Sequence, residues 1–234
     1  MDAGGQDERL MVEAGDVPVM TGHYDYIRDP KAIYAESFAQ VRAAVDLSRF
    51  PTALHPVVER LVHACARPEI ADQLRWEGDL AESGCAALRA GAPVLADAEM
   101  VARGVTRSLL PAENLVLCRL NDTSVPDRAA QLGTTRSAAA VELWRDDLDG
   151  AVVAIGNAPT ALFHLLERLR EGWPRPAVIL AFPVGFVGAS ESKQALVEAG
   201  LGIPFITLPG RDGGSALAAA AVNGLSVACG QGGA

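Results

Sequence analysis

The pattern of apolar and polar positions predicts two amphipathic helices in the N-terminal part of the chain. Residues 30–41 and 56–65 carry apolar side chains at helical spacing, and Asp29 followed by Pro30 is typical of a helix start. The apolar stripe of the first helix is Ile33, Tyr34, Phe38 and Val41. On the second helix, Arg60 and His63 lie one turn apart on the face opposite the apolar one. These two polar side chains are therefore predicted to be neighbours.

Beyond residue 92, short apolar runs alternate with helical segments. The runs are residues 93–96, 115–118, 151–155, 177–181 and 204–208. Strands that are apolar throughout and separated by helices are typical of a parallel sheet covered on both faces. We therefore expect an α/β fold, with a mainly parallel central sheet of about five strands and helices on both faces. Ligands of such sheets bind at the carboxyl ends of the strands. The loops at residues 97–106, 156–158, 183–188 and 210–214 are the candidates for a ligand crevice.

The domain organisation is predicted to be simple. Residues 1–22 are rich in glycine and acidic side chains and show no periodicity, so we expect a flexible N-terminal extension. Residues 23–234 show no linker, internal repeat or low-complexity tract, which favours a single domain.

Charge and cysteine usage narrow the function classes. With 20 basic and 29 acidic residues, the formal net charge is −9, which disfavours binding to nucleic acid or to anionic lipid. No apolar stretch is long enough to span a membrane. The four cysteines are far apart in sequence, which argues against a zinc site or a disulfide framework and favours a reducing cytoplasm.

Several common catalytic signatures are absent from the sequence. It contains no G-x-G-x-x-G after a strand, no G-K-[ST], no H-E-x-x-H and no G-x-S-x-G, which disfavours nicotinamide, P-loop, zinc-protease and serine-hydrolase chemistry. Glycines after the predicted strands, such as Gly156 and Gly185, serve either tight turns or a close approach of the backbone to a ligand. Of the four histidines, His63 is the best candidate for proton transfer because it shares a helical face with Arg60.

A set of sequence blocks then stands in a defined order. The blocks are YDYIRDP at 24–30, VHAC at 62–65, DAEMV at 97–101, TRSAA at 135–139, IGNAPTAL at 155–162, PVGFVGA at 183–189 and GRDGGS at 210–215. Together they resemble the precorrin-8X methylmutases of cobalamin biosynthesis, and the resemblance runs from about residue 24 to residue 225. Ala66 and Thr134 depart from the residues common in the family, without removing a group that the reaction needs.

The resemblance implies a three-layer α/β fold and a homodimer with shared active sites. It implies migration of a methyl group from C11 to C12 in ring C of precorrin-8X, which gives hydrogenobyrinic acid and needs neither a cofactor nor a metal. His63 matches the histidine that donates and accepts the proton, and Ser37 and Arg60 match substrate-binding positions. Thr106 and Arg136 match further positions that line the pocket.

Alternatives remain open at this point. Arg136 either grips a carboxylate of the substrate or forms a surface salt bridge. The substrate is either metal-free or already contains cobalt, as in the cobalt-precorrin-8 methylmutases of the anaerobic pathway. A non-catalytic tetrapyrrole carrier is a rival from another class. A nucleotide-using α/β enzyme is a weaker rival, because the phosphate-binding motifs are absent.

Overall fold

The computed structural model describes residues 24–231, so the extension predicted at residues 1–22 lies outside the described residues. Within this range the chain forms ten α-helices and six β-strands. The helices are α1 (Pro30–Ala44), α2 (His55–Cys65), α3 (Ile70–Gln73), α4 (Leu80–Arg89), α5 (Glu99–Gly104), α6 (Val125–Leu132), α7 (Arg136–Val141), α8 (Pro159–Arg170), α9 (Ala189–Glu198) and α10 (Ser215–Gln231). The strands are β1 (Arg75–Glu77), β2 (Val94–Ala96), β3 (Val116–Cys118), β4 (Val152–Ile155), β5 (Val178–Ala181) and β6 (Phe205–Thr207).

All six strands form a single sheet in the order β1-β6-β5-β4-β2-β3. The five strands expected from the apolar runs are present, and each pairs in parallel with its neighbours among them. The expected number is one too low, because β1 adds an antiparallel strand beside β6, with Trp76 opposite Ile206. This strand was missed because it is an edge strand of sequence Arg-Trp-Glu, without an apolar run.

Helices cover both faces of the sheet, which confirms the predicted α/β class. Side chains alternate between two cores along each strand, as Val152 and Val153 of β4 illustrate. One core lies under α2, α4, α5 and α10, and the other under α7, α8 and α9. Strands β2, β4, β5 and β6 are therefore buried on both faces, as expected for a parallel sheet, whereas the edge strands β1 and β3 are partly exposed.

Helix α2 is fixed by close contact with α10. Its apolar face, including Val57 and Leu61, is fully buried. A side chain at Gly224 of α10 would place its Cβ 2.6 Å from the Cα of Val57, so the two helices approach backbone to backbone. This contact determines which residues of α2 face outward.

Helix α1 begins as predicted but is less buried than its pattern indicates. The Asp29 side chain accepts a hydrogen bond from the Lys31 amide at 3.1 Å, which caps the helix, and Pro30 is its first residue. Of the predicted stripe, Phe38 is buried, whereas Ile33 and Tyr34 are about half exposed. The N-terminal half of α1 therefore lies on the surface of the single chain.

The cysteines also differ from the expectation. Cys85 of α4 and Cys229 of α10 form a disulfide, with their Cα atoms 5.0 Å apart, whereas Cys65 and Cys118 are free. The prediction of no disulfide is wrong because 144 residues separate the pair in sequence, and only the packing of α4 against α10 brings them together. Among residues 24–231, no helix has both the length and the apolar character of a membrane span.

Candidate active site

Helix α2 presents two polar side chains on its outward face. His63 is exposed and Arg60, one turn earlier, is partly exposed, while Val62 between them is buried. Their proximity follows from the three-residue spacing on a helix, as the sequence predicts.

Helix α1 supplies two contacts that fix the His63 ring. The Ser37 hydroxyl lies 2.9 Å from His63 Nδ1, and the Phe38 ring stacks on the imidazole with centroids 4.8 Å apart. The Nε2 atom has no hydrogen-bond partner within the described residues. A ring held through Nδ1 and one face therefore leaves Nε2 available to a ligand.

Arg60 of α2 is held by aromatic side chains of α1. Its Nη2 donates a hydrogen bond to the Tyr34 hydroxyl at 2.5 Å. Its guanidinium also lies 5.5 Å from the Phe38 ring centroid and 5.8 Å from that of Tyr34, within range of cation–π attraction. Phe38 thus contacts both Arg60 and His63, and the Arg60 guanidinium is placed beside the His63 imidazole.

A cavity of about 290 Å³ opens beside His63 and Arg60. Its opposite wall consists of small side chains of α10, namely Ala216, Ala219 and Ala220, together with Gly104 and Asn223. The end of α5 packs tightly here, because a Cβ on Gly104 would lie 2.7 Å from that of Ala219. The small residues leave space for a flat apolar ligand in front of the imidazole.

Asn223 connects this cavity with the segment that carries Thr106. Its Oδ1 accepts a hydrogen bond from the Thr106 amide at 2.8 Å, and its Nδ2 donates to the Gly104 carbonyl at 3.0 Å. Asn223 is 9% exposed and was not among the residues singled out from the sequence. A single amide side chain directly after the Ala-rich run of residues 216–222 was the signal that could have identified it.

Arg136 lies apart from this group within one chain. It is the first residue of α7, and its Nη2 donates to the Leu120 carbonyl at 3.1 Å and lies 3.4 Å from Asn121 Oδ1. It does not line the cavity beside His63. Of the five residues predicted from the sequence, Ser37, Arg60 and His63 are in mutual proximity, Thr106 is linked to them through Asn223, and Arg136 is separate.

Comparison with known proteins agrees with the resemblance noted in the sequence. The family model described as precorrin-8X methylmutase matches residues 32–228. The chain belongs to the precorrin-8X methylmutase family. This is a family of isomerases in cobalamin biosynthesis.

Relatives within the family carry two different names. A precorrin-8X methylmutase of a Sinorhizobium species is 58% identical over 203 residues, covering 87% of this chain and 97% of the relative. A precorrin-8X methylmutase of Pseudomonas aeruginosa is 55% identical, covering 86% of this chain and 97% of the relative. A cobalt-precorrin-8 methylmutase of Priestia megaterium is 34% identical, covering 85% of this chain and 88% of the relative. The crystal structure of a precorrin-8X methylmutase from Thermus thermophilus superposes with a TM-score of 0.77 at 39% identity, covering 87% of this chain and all of that one.

In this member of the methylmutase family, a buried carboxylate organises the loop after β4. Asp97 is 2% exposed and accepts hydrogen bonds from the amides of Gly156, Asn157 and Ala158 at 2.8, 2.9 and 2.7 Å. Burial raises the pKa of Asp97, and the three amide donors oppose that shift. The carboxylate therefore joins the carboxyl ends of β2 and β4 at the edge where ligands of such sheets bind.

The loop that precedes α10 is tied to α2 and α9. Asp212 accepts a salt bridge from Arg67, just beyond α2, at 2.9 Å. Its carbonyl accepts a hydrogen bond from the Nζ of Lys193 in α9 at 2.6 Å. Lys193 is 1% exposed, and burial lowers its pKa to about 8. Among the residues that the structure describes, no three His, Cys, Asp or Glu side chains are grouped closely enough to hold a metal ion.

Proposed function

We propose that this chain converts precorrin-8X to hydrogenobyrinic acid by moving a methyl group from C11 to C12, with His63 as the proton donor and acceptor. The observation that carries the proposal is the contact of His63 Nδ1 with the Ser37 hydroxyl, which leaves Nε2 free beside the cavity. The names and identities of the relatives from Sinorhizobium and Pseudomonas aeruginosa support the substrate.

The geometry suits a single proton exchanged at one nitrogen. When Nδ1–H donates its hydrogen bond to the Ser37 oxygen, an imidazolium can give up a proton to the substrate only from Nε2, and the neutral ring can accept a proton there again. Protonation of ring C of the tetrapyrrole allows a [1,5]-sigmatropic methyl shift, which is unimolecular and needs no nucleophile. Arg60 beside the ring binds a carboxylate arm of the substrate, since guanidinium suits carboxylate geometry.

The test is turnover of precorrin-8X by the purified protein, followed by the change in its visible spectrum. His63→Ala should lower turnover by about 10²–10⁴-fold, the usual contribution of general acid catalysis, while the product still binds. Ser37→Ala should lower kcat less, because the hydroxyl only positions the ring. A wild-type protein that is folded yet leaves the spectrum unchanged would refute the activity, and full activity of His63→Ala would refute the role of the histidine.

Metal-free precorrin-8X is the proposed substrate rather than its cobalt form. The two relatives named precorrin-8X methylmutase are 58% and 55% identical to this chain, whereas the one from Priestia megaterium named for the cobalt substrate is 34% identical. Rates measured on the two substrate forms under the same conditions decide between them. A higher kcat/KM on the cobalt form would reverse the assignment.

We further propose that the active protein is a homodimer and that Arg136 and Thr106 take part in substrate binding, with Arg136 acting in the partner's site. Large apolar side chains at the start of the described chain are between 47% and 77% exposed, which is typical of an interaction surface. They are Tyr24, Tyr26, Ile27, Ile33 and Tyr34. Tyr34 also binds Arg60, so this surface adjoins the site.

Mixed dimers test the shared site directly. His63→Ala and Arg136→Ala variants, each inactive alone, are unfolded, mixed in equal amounts and refolded. If the two residues of one site come from different copies, half of the dimers contain one intact site and activity returns to about one quarter of wild type. If both residues come from the same copy, every site in the mixture lacks one of them and activity stays absent.

We place the protein in the cytoplasm on the basis of its family of biosynthetic isomerases. The free thiols of Cys65 and Cys118 suit a reducing environment, whereas the disulfide between Cys85 and Cys229 is typical of an oxidising one. Fractionation of the host cells, with immunodetection of the native protein, tests this location. Detection in a membrane or extracellular fraction alone would contradict it.

A further inference from the structure

A second cavity lies on the other side of Arg60 from His63. It measures about 390 Å³ and is enclosed by α1, α2 and the turn of α10 that carries Val227. Arg60 lines both cavities, and the walls of both include α10 residues about one turn apart, Asn223 and Val227. The two cavities therefore adjoin each other at Arg60.

The proposed substrate is too large for the cavity beside His63 alone. At about 290 Å³, that cavity lies at the lower end of pockets for drug-sized ligands, about 300–1,000 Å³. A tetrapyrrole with acetate and propionate arms exceeds such ligands. When ring C lies against His63, part of the rim must extend past Arg60, and this step of the argument rests on the proposed function.

The second cavity is lined by an arginine, Arg42, that has no role in the proposed mechanism. Arg42 of α1 lines it and makes one ion pair, from Nη1 to Glu59 Oε2 at 3.1 Å. The Arg42 side chain is about half exposed, whereas Glu59 is 14% exposed, so the carboxylate holds the guanidinium from beneath. Within the described residues the remaining donors of Arg42 have no side-chain or backbone acceptor.

We propose that this second cavity is a carboxylate subsite that binds one acetate or propionate arm of the tetrapyrrole. Arg42 is its main ligand, and Arg60 marks its border with the proton-transfer site. A planar guanidinium held on one edge by Glu59 offers its other N–H groups to a second carboxylate, which is the geometry that favours arginine over lysine. In a chain of net charge −9, the guanidinium groups of Arg42 and Arg60 outnumber the one carboxylate that lines this cavity, Glu59, which leaves a local positive charge for an anionic ligand.

Arg42→Gln is the first test, with binding of hydrogenobyrinic acid followed by its absorption spectrum and turnover of precorrin-8X measured in parallel. We expect the Kd and KM to rise about tenfold while kcat changes little, because the arm is bound alike before and after the methyl shift. Arg42→Lys should recover only part of the affinity. The matched control is Arg49→Gln, which removes another partly exposed arginine, paired with Asp72 outside both cavities, and should leave Kd unchanged.

Removal of Glu59 separates a direct contact from a structural effect. Glu59→Gln frees Arg42 from its competing carboxylate, so the product should bind more tightly than to wild type. In the double variant Arg42→Gln/Glu59→Gln, binding should stay weak, since the ligand of the arm is missing. Recovery of wild-type affinity in the double variant would mean that the unpaired charge of Glu59 in Arg42→Gln alone caused the loss, and would overturn the subsite.

Three further outcomes are decisive. If wild type turns over precorrin-8X and Arg42→Gln has an unchanged Kd and KM, the subsite is refuted and the proposed function stands. If Arg42→Gln shifts the oligomeric state at unchanged affinity, Arg42 belongs to a subunit contact and the subsite is again refuted. Failure of wild type itself to turn over the substrate refutes the proposed function, whatever the variants bind.

Discussion

Replacement of Asp97 by asparagine should destabilise the fold although it changes the side chain by one atom. The carboxylate accepts three backbone hydrogen bonds, one at Oδ1 from Gly156 and two at Oδ2 from Asn157 and Ala158. An asparagine in its better orientation keeps its oxygen on the two-bond side and turns its NH₂ group toward the Gly156 amide. Two donors then face each other in a buried site.

The magnitude follows from these contacts. A buried amide left without an acceptor costs about 1–3 kcal/mol. The two bonds that remain lose their charge assistance, which costs about 1 kcal/mol more. Removing a buried charge offsets part of this loss, in line with the raised pKa of Asp97. We expect a net loss of about 2 kcal/mol in the free energy of unfolding, or about 4–8 °C in Tm for a chain of this size.

Urea unfolding at pH 7, followed by tryptophan fluorescence and by circular dichroism, measures this loss. Asp122→Asn is the matched control, because Asp122 also accepts a backbone hydrogen bond, from Ser124 at 2.9 Å, but lies on the surface. Its effect should be much smaller. If Asp97→Asn unfolds at the same urea concentration as wild type, or loses no more than the control, the loop after β4 does not depend on an ionised carboxylate and the reasoning fails.

Three other predictions test the packing around the site. Gly224→Ala should lower the free energy of unfolding in urea by about 3 kcal/mol, since the added Cβ would lie 2.6 Å from the Val57 Cα. Stability equal to wild type would contradict the close contact of α2 with α10. Thiol titration of the unfolded, non-reduced chain should find two thiols rather than four, and four titrated thiols would exclude the disulfide. Reduction of the disulfide between Cys85 and Cys229 should lower the free energy of unfolding by about 2–4 kcal/mol. Burial lowers the pKa of Lys193 from 10.5 to about 8, so between these pH values the unfolded state binds more protons than the folded state and the free energy of unfolding should rise with pH. Lys193→Met should lack this rise. Parallel pH profiles of the free energy of unfolding for the variant and wild type would refute the prediction.

Features set by nearby residues were predictable from the sequence. The five parallel strands follow from uninterrupted apolar runs, and the Asp29 cap followed from its position before Pro30. The proximity of Arg60 and His63 required only helical periodicity. By contrast, β1 has no apolar run, so its place in the sheet depends on β6 rather than on its own side chains.

Contacts between distant parts of the chain could not be predicted in this way. The approach of Ser37 to His63 was implied by family resemblance and not by spacing, because it depends on how α1 packs against α2. The bonds of Asn223 to residues 104 and 106 and the bonds of Asp97 to the loop after β4 span long separations. The pattern of each segment alone carries no information about its partner, and therefore the role of Asn223 became visible only in three dimensions.

The wall that α10 contributes to the cavity has a consequence for protein synthesis. His63 emerges from the ribosome early, but Ala219 and Asn223, which face it across the cavity, are translated long afterwards. A nascent chain that ends before them has the imidazole without the opposite wall. Tetrapyrrole capture by ribosome-bound chains that carry C-terminal linkers of increasing length should therefore begin only when the linker allows residue 223 to leave the exit tunnel, and coloured ligand can serve as a reporter of completed folding.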